Sequence, residues 1–289
     1  MATGAPPPAA PAPTPLYEAF HAGRYERQRL IREYQEAYEC RLIVMIDDIF
    51  PDSVTPFEEL IHEADPDENL HLMLNTAGGD GEIAVRLLRT AQSRCRELTV
   101  IVPDEAKSAG TLIAIGAHHI LMGPASDLGP IDPQMRLSAE DGGLVAAKDL
   151  VAAVEDAAKR VKQAPSTYPI FASLLEAVSA IQVQQARSAM ARTDKLLALA
   201  LKVNTSRSAA QIKALTTALT KPLVKEADYH GAIFGGQEAE DVGLPVVRVN
   251  PADDQWQRIW KLWTRYFVLP EHDHVHVYEG ERASHVVIH

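Results

Sequence analysis

Cysteine is nearly absent from this chain: Cys40 and Cys95 are the only two among 289 residues. Two thiols outside any metal-ligand spacing exclude a disulfide-stapled scaffold and a zinc ribbon, and the expectation is reduced thiols in a cytoplasmic setting. Long apolar runs are missing too. No stretch approaches the roughly eighteen continuous apolar residues of a membrane span, and the first sixteen residues hold no Lys or Arg to begin a signal peptide. Basic charge is in deficit: 28 Lys and Arg stand against 39 Asp and Glu, giving a net charge of −11. Nucleic acid and anionic membrane surfaces are therefore poor partners, and the charge mainly favours solubility.

What is present suffices for an enzyme, since 289 residues at 46% apolar can bury one substantial α/β core. Residues 1–15 carry six prolines mixed with alanine, the composition of a disordered arm. The folded domain is expected over 16–250, beginning with a helix through Tyr25, Leu30, Ile31 and Tyr34 that leads into a strand at Arg41–Ile46. Thr55-Pro56-Phe57-Glu58 has the form of a helix start with a capping box. Strand, helix and strand then repeat through Leu70–Leu74, Ile83–Ala91 and Leu98–Val102. Such alternation predicts a largely parallel sheet covered by helices, with its site at the strands' C-terminal ends. Residues 146–220 read as an almost entirely helical insertion, broken at 163–169 and 204–208. A short helix at Glu238–Asp241 and a strand at Val242–Val247 then close the domain. Residues 251–289 read as an aromatic helix and a histidine-rich hairpin tail.

The most informative residues lie between 75 and 134: Asn75-Thr-Ala-Gly-Gly79, Lys107-Ser-Ala-Gly-Thr111 and Leu128-Gly-Pro-Ile-Asp-Pro-Gln134. Each of the first two follows an apparent strand and opens an apparent helix. A hydroxyl becomes a nucleophile when a base takes its proton and backbone N–H groups stabilise the resulting oxyanion. If Ser108 heads a helix, the N–H of Ala109 is one such donor. Gly78 and Gly79, in a turn where missing side chains admit a substrate carbonyl, are the second supply.

These motifs resemble the Clp protease/crotonase superfamily, and within it the serine dehydrogenase proteinase family, related to signal peptide peptidase A and the NfeD-linked membrane proteases. The resemblance covers roughly residues 40–250, with Ala77 standing where relatives usually carry proline. It implies a Clp/crotonase-like fold and an ATP-independent serine peptidase with Ser108 as nucleophile and an oxyanion hole from Gly78, Gly79 and Ala109. Clp-type members place a histidine one strand after the serine; here that segment offers Ile131 and Asp132. The likeness to the NfeD-linked proteases instead implies a lysine base forty residues past the serine, which is Lys148, with Lys107, Lys159 and Lys162 in reserve. Leu144, Val145, Ala146 and Ala147 would supply an apolar pocket that keeps such a lysine neutral. Asp132 and Gln134 would shape the turn or line the substrate groove. No cofactor and no metal are implied. Relatives form closed rings or stacked trimers, so the helical insertion, with Phe171, Leu174, Leu175, Val178 and Ile181, is expected to carry homo-oligomer contacts, while a peptide or protein is the expected substrate.

Other readings compete with these. Ser108 could be a plain N-cap, and Lys148 an exposed surface lysine. Gly79-Asp-Gly81-Glu-Ile-Ala84 fits a dinucleotide fingerprint, with Asp104 as the ribose acid, but that leaves Ser108 and residues 128–134 unexplained. A crotonase-type acyl-CoA enzyme would use the same N–H pair to hold a thioester enolate, and a non-catalytic scaffold would keep only the fold. His118 and His119 read as structural, and His230 as surface or filler. Trp256, Trp260, Trp263 and Phe267 share a helical face suited to packing. His272, His274 and His276 would lie on one side of a strand, about 7 Å apart. A metal there would need His285 or His289 across a hairpin at Glu279-Gly280, and a solvated edge strand is the simpler account.

Overall fold

The computed structural model describes residues 14–136, 143–225, 232–269 and 275–288. The proline-rich arm to residue 13, His230, His272, His274 and His289 lie outside the described residues. The chain alternates as expected: α1 (Pro15–Tyr38), β1 (Cys40–Ile46), α2 (Val54–Ile61), β2 (Asn69–Asn75), α3 (Gly81–Gln92), β3 (Leu98–Val102), the two-residue β4 (Glu105–Ala106), α4 (Ala109–Gly116) and β5 (His119–Met122). Then come β6 (Asp127–Leu128), β7 (Gln134–Arg136), β8 (Leu144–Ala146), and the helical excursion α5 (Ala147–Gln163), α6 (Tyr168–Leu174), α7 (Ala180–Val203) and α8 (Ala209–Thr220). The chain closes with β9 (Phe234–Gly235), α9 (Gly236–Asp241), β10 (Val246–Arg248), α10 (Asp254–Phe267), β11 (Val275–Glu279) and β12 (Ser284–Ile288).

The central sheet runs β10-β5-β3-β2-β1-β11-β12. Its first five strands are parallel, and β11 and β12 add antiparallel to β1 and to each other. Parallel strands covered on both faces need apolar residues at nearly every position, and β3 is buried at all five. Alternation then divides the core. Leu42, Val44, Met73, Ile101 and Leu121 face α1 and α10, whereas Ile43, Met45, Leu72, Leu74, Val100 and Val102 face the layer built from α2, α3, α4 and α7. Residues 275–288, read from sequence as a tail, are the outer strands of this sheet, with the hairpin turn at Gly280 as expected.

Two expectations are corrected. Thr55 does not cap α2: the helix begins at Val54, continuing a 3₁₀ turn at Pro51–Ser53 in which Phe50 N–H donates to Ser53 Oγ at 3.0 Å. The aromatic face of α10 is not uniformly packed, because Trp256 and Trp263 are buried while Trp260 and Phe267 are largely exposed. Trp256 takes the place a side chain at Gly123 would fill.

Candidate active site

The turn after β2 is held from two sides. Toward β1, Asp47 N–H donates to Asn75 O at 3.2 Å, Ile49 N–H to Gly78 O at 2.7 Å, and Asp80 N–H to Ile49 O at 2.7 Å. Toward β4, Glu105 N–H donates to Asn75 Oδ1 at 3.1 Å and Lys107 N–H to Thr76 O at 3.0 Å. Ala77 keeps an N–H that proline would lack, and the Asp48 carboxylate accepts it. Burial, followed by the Asp47 charge, nevertheless pushes the Asp48 carboxyl above its ordinary range.

Both glycines of the turn sit at φ 128°, which side-chain-bearing residues rarely adopt. A Cβ at Gly79 would stand 2.2 Å from Ile49 O, and one at Gly78 2.7 Å from Ser108 Cβ. Their N–H groups part company. Gly78 N–H donates to Thr76 Oγ1 at 3.0 Å, so Gly78 brings the turn onto Ser108 but is not the donor expected of it. Gly79 forms a parallel bridge with Ile49 in which its neighbours make the hydrogen bonds. Its own N–H therefore points away from Ile49 and has no partner among the described residues.

Ser108 immediately precedes α4 at φ 48°, ψ −109°, and its hydroxyl forms no capping bond. This decides against the plain N-cap. A non-glycine residue in such a conformation costs on the order of 1–3 kcal/mol and persists only where its surroundings hold it. Ser108, half-buried as a residue, sits at the head of the helix, where Ala109 N–H is among the donors the helix leaves unpaired. Thr111 ties the third motif beneath it: its hydroxyl donates to Ala106 O at 2.7 Å and accepts Gly129 N–H at 3.0 Å.

From Gly129 the chain passes Asp132 into β7, pairs with β8 and enters α5, where Ala147 N–H donates to Pro133 O at 2.9 Å. That path places Lys148 Nζ 4.0 Å from Asp132 Oδ2, with the lysine side chain 13% exposed and the aspartate 1%. Lys148 is thus not an exposed surface lysine. The pocket expected from its neighbours is not built as foreseen, because in the short strand β8 Leu144 is exposed and Val145 and Ala146 are half-buried; only Ala147 is buried. Asp132, expected to shape the turn or line the substrate groove, is a buried carboxylate beside Lys148. Gln134 opens β7, half-buried.

Of the reserve lysines, Lys159 and Lys162 are exposed on α5. Lys107 is ion-paired with Asp127 Oδ2, and its nitrogen lies 3.4 Å from Leu128 O. Burial pushes the Lys107 ammonium below its ordinary range, against the opposing pull of Glu105 and Asp104. His118 is structural, its Nδ1 accepting Leu98 N–H at 3.0 Å.

Sequence reasoning missed Thr76, Asp127 and the Asp47-Asp48 pair. Asp47 meets His276 Nδ1 and accepts Tyr278 O–H at 2.6 Å. Together with Asp104, Glu105 and Trp263 the pair lines a cleft of about 440 Å³ bordering the Asn75–Ala77 turn. Two carboxylates directly after the C-terminal end of a parallel strand were the available signal. Among the described residues no three His, Cys, Asp or Glu side chains converge as metal ligands.

Residues 51–163 match the model of the ClpP-like SDH-type serine proteinases, the family the three motifs resemble. Two proteins of Methanocaldococcus jannaschii are similar. The uncharacterized protein MJ0137 is 37% identical over 95 residues, 33% of this chain and 31% of that one. The uncharacterized protein MJ1495 is 29% identical over 124 residues, 38% and 42% of the two chains. The chain therefore spans less than half the length of these curated relatives. Two solved structures of alanine mutants of the 1510-N membrane-bound stomatin-specific protease are also similar, each at 16% identity. One has a TM-score of 0.45 over 74% of this chain and 81% of that one. The other, in complex with a substrate peptide, has a TM-score of 0.43 over 72% and 76%.

Proposed function

We propose that this chain, whose residues 51–163 match the ClpP-like SDH-type serine proteinases, is an ATP-independent serine endopeptidase acting through an acyl-enzyme. One observation carries the reading: Ser108 is held at φ 48° at the head of α4, its hydroxyl released from capping, with Gly78 packed against it. A substrate carbonyl over Ser108 Oγ meets the N–H groups of Ala109 and Gly79, which stabilise the charge that develops on its oxygen. Lys148 takes the hydroxyl proton and returns it to the leaving amine, and water then releases the acyl group. Asp132 holds the lysine's position.

The acyl-CoA reading gives the strained serine no task, and a scaffold gives none to a free hydroxyl between two unpaired N–H donors. We further propose that the enzyme is a homo-oligomer assembled through its helical excursion, where Tyr168, Ile170, Leu174 and Ile181 are each more than 60% exposed. The number of subunits, trimer-based or ring, is read by light scattering. A cytoplasmic setting is part of the same proposal and rests on the thiols: burial pushes Cys95 up to about 11 and Cys40 to about 12, so both remain protonated and inert.

The test is labelling with a fluorophosphonate probe, with the adduct located by peptide mass. Wild-type protein should label at Ser108 and Ser108→Ala should not. Labelling elsewhere, or none in folded protein, would remove Ser108 as nucleophile. Lys148→Arg keeps the charge but cannot release its proton; it should lose peptidase activity by at least about 100-fold. Normal turnover in that variant would transfer the base role to another residue.

A further inference from the structure

Ser108 lies between two fixed points. After it, α4 is anchored through Thr111 to Ala106 and Gly129. Before it stands Lys107, whose N–H donates to Thr76 O at 3.0 Å and whose carbonyl accepts Gly110 N–H at 2.7 Å, closing the turn that contains the serine. A residue with positive φ relaxes unless such neighbours are immobilised, and the Lys107 side chain is immobilised in an unusual way. Its stem crosses Gly129 so closely that a Cβ there would lie 2.4 Å from Lys107 Cδ. Its ammonium ends on Asp127 Oδ2, and Asp127 Oδ1 accepts Phe234 N–H at 2.7 Å. The two side chains are only 12% and 16% exposed. They join β4, β6 and β9, which form a sheet of their own beside the serine.

We propose that the Lys107–Asp127 pair is a clamp that holds Ser108 in its strained conformation, making Lys107 a positioning residue for the nucleophile. The proposal rests on the reading of Ser108 as nucleophile. It assigns the lysine beside the serine to the scaffold and leaves proton transfer to Lys148. Removing either member leaves a mostly buried charge without its counter-ion and frees the Lys107 carbonyl to rotate, so the serine falls back toward an ordinary helix-capping conformation.

The experiment compares Lys107→Met, Asp127→Asn, the double variant and Lys107→Arg in the full chain. It measures fluorophosphonate labelling rate, peptidase kcat and KM, and amide hydrogen exchange over residues 105–116. The clamp predicts that each single variant labels roughly 10- to 100-fold more slowly, that the double variant loses no more than either single, and that KM stays within about twofold. Exchange over 105–116 rises in all three, and Lys107→Arg recovers most of the rate. Asp127→Asn, which keeps the side chain's shape, carries the test if Lys107→Met does not fold. Wild-type labelling and exchange in both single variants would overturn the clamp. So would a dead Lys107→Arg beside a near-normal Asp127→Asn, which would make Lys107 the base. If the wild type itself does not label, the nucleophile reading fails and the exchange comparison alone decides the clamp.

Discussion

In the proposed reading, Ser108 owes its reactivity to what a neighbour does not do, and that neighbour is a glycine. Gly78 carries no side chain at the one place where a methyl group would stand 2.7 Å from Ser108 Cβ, and its φ of 128° already excludes most other residues. Gly78→Ala should therefore cost at least about 1 kcal/mol of stability and slow fluorophosphonate labelling by 100-fold or more, since a displacement of about 1 Å at the nucleophile is enough for that. A folded Gly78→Ala protein that labels at the wild-type rate would show that the turn does not govern the serine. The pair of glycines was legible in the sequence, but their separate duties were not. Which N–H remains unpaired is decided by the Ile49 bridge and by Thr76 Oγ1, and both depend on how the backbone turns, which residue type does not encode. Ser108 stood out in the sequence because three motifs surround it, whereas Lys148 was proposed only through the family's spacing.

Elements carry the site because each glycine-bearing turn is locked by the helix it opens. Asp80 follows Gly79 and caps α3, its Oδ1 accepting Glu82 N–H at 2.7 Å and Ile83 N–H at 3.4 Å. Asp80→Ala should lower stability by about 1 kcal/mol in urea unfolding, and Asp80→Ser, which can still cap, should restore most of it. Equal loss in both variants would mean that the carboxylate's charge, rather than the cap, stabilises this turn. The same residue weighs against the dinucleotide fingerprint: the N-terminus of α3, where a pyrophosphate would sit, is capped by the Asp80 carboxylate. Local rules found the long parallel strands and the breaks on either side of residues 168–203, but not the one between α6 and α7, where Leu174, Leu175 and Val178 continue an apolar series through the end of α6. They misplaced the start of α2, where Thr55, Pro56 and Glu58 satisfy a capping pattern. The 3₁₀ turn at Pro51–Ser53 has already nucleated the helix two residues earlier, and nothing within the capping pattern reports that.

At the scale of the molecule, the outer layer of α1 and α10 is stitched to the sheet by a chain of hydrogen bonds that acid should break. Gln255 Nε2 donates to Tyr34 Oη at 2.8 Å, and Tyr34 Oη lies 2.8 Å from His71 Nδ1. The Tyr34 oxygen accepts from Gln255 and keeps its own proton, which it donates to His71 Nδ1 in the tautomer that leaves that nitrogen bare. Burial, with a smaller contribution from His119, lowers His71 from 6.5 to about 4. A histidine depressed in the folded state binds fewer protons there than when unfolded, so stability rises with pH between the two values. The contribution is fully present above 6.5 and is lost as the pH falls toward 4. At 1.36 kcal/mol per unit the ceiling is about 3 kcal/mol, and the ring's partial exposure brings the expected loss nearer to 1–2 kcal/mol. His118, depressed mainly by burial, adds in the same direction. Urea unfolding of the wild type and His71→Gln at intervals from pH 7 to pH 4 separates the two, because the variant should lose most of the slope while His118→Gln should lose less. An unchanged slope in His71→Gln would place the acid sensitivity elsewhere. No reading of the sequence could have found this chain, because its three members come from α1, β2 and α10, far apart in sequence. The same non-locality hid the place of residues 275–288, whose alternating pattern announces a strand pair but does not say that its partner is β1.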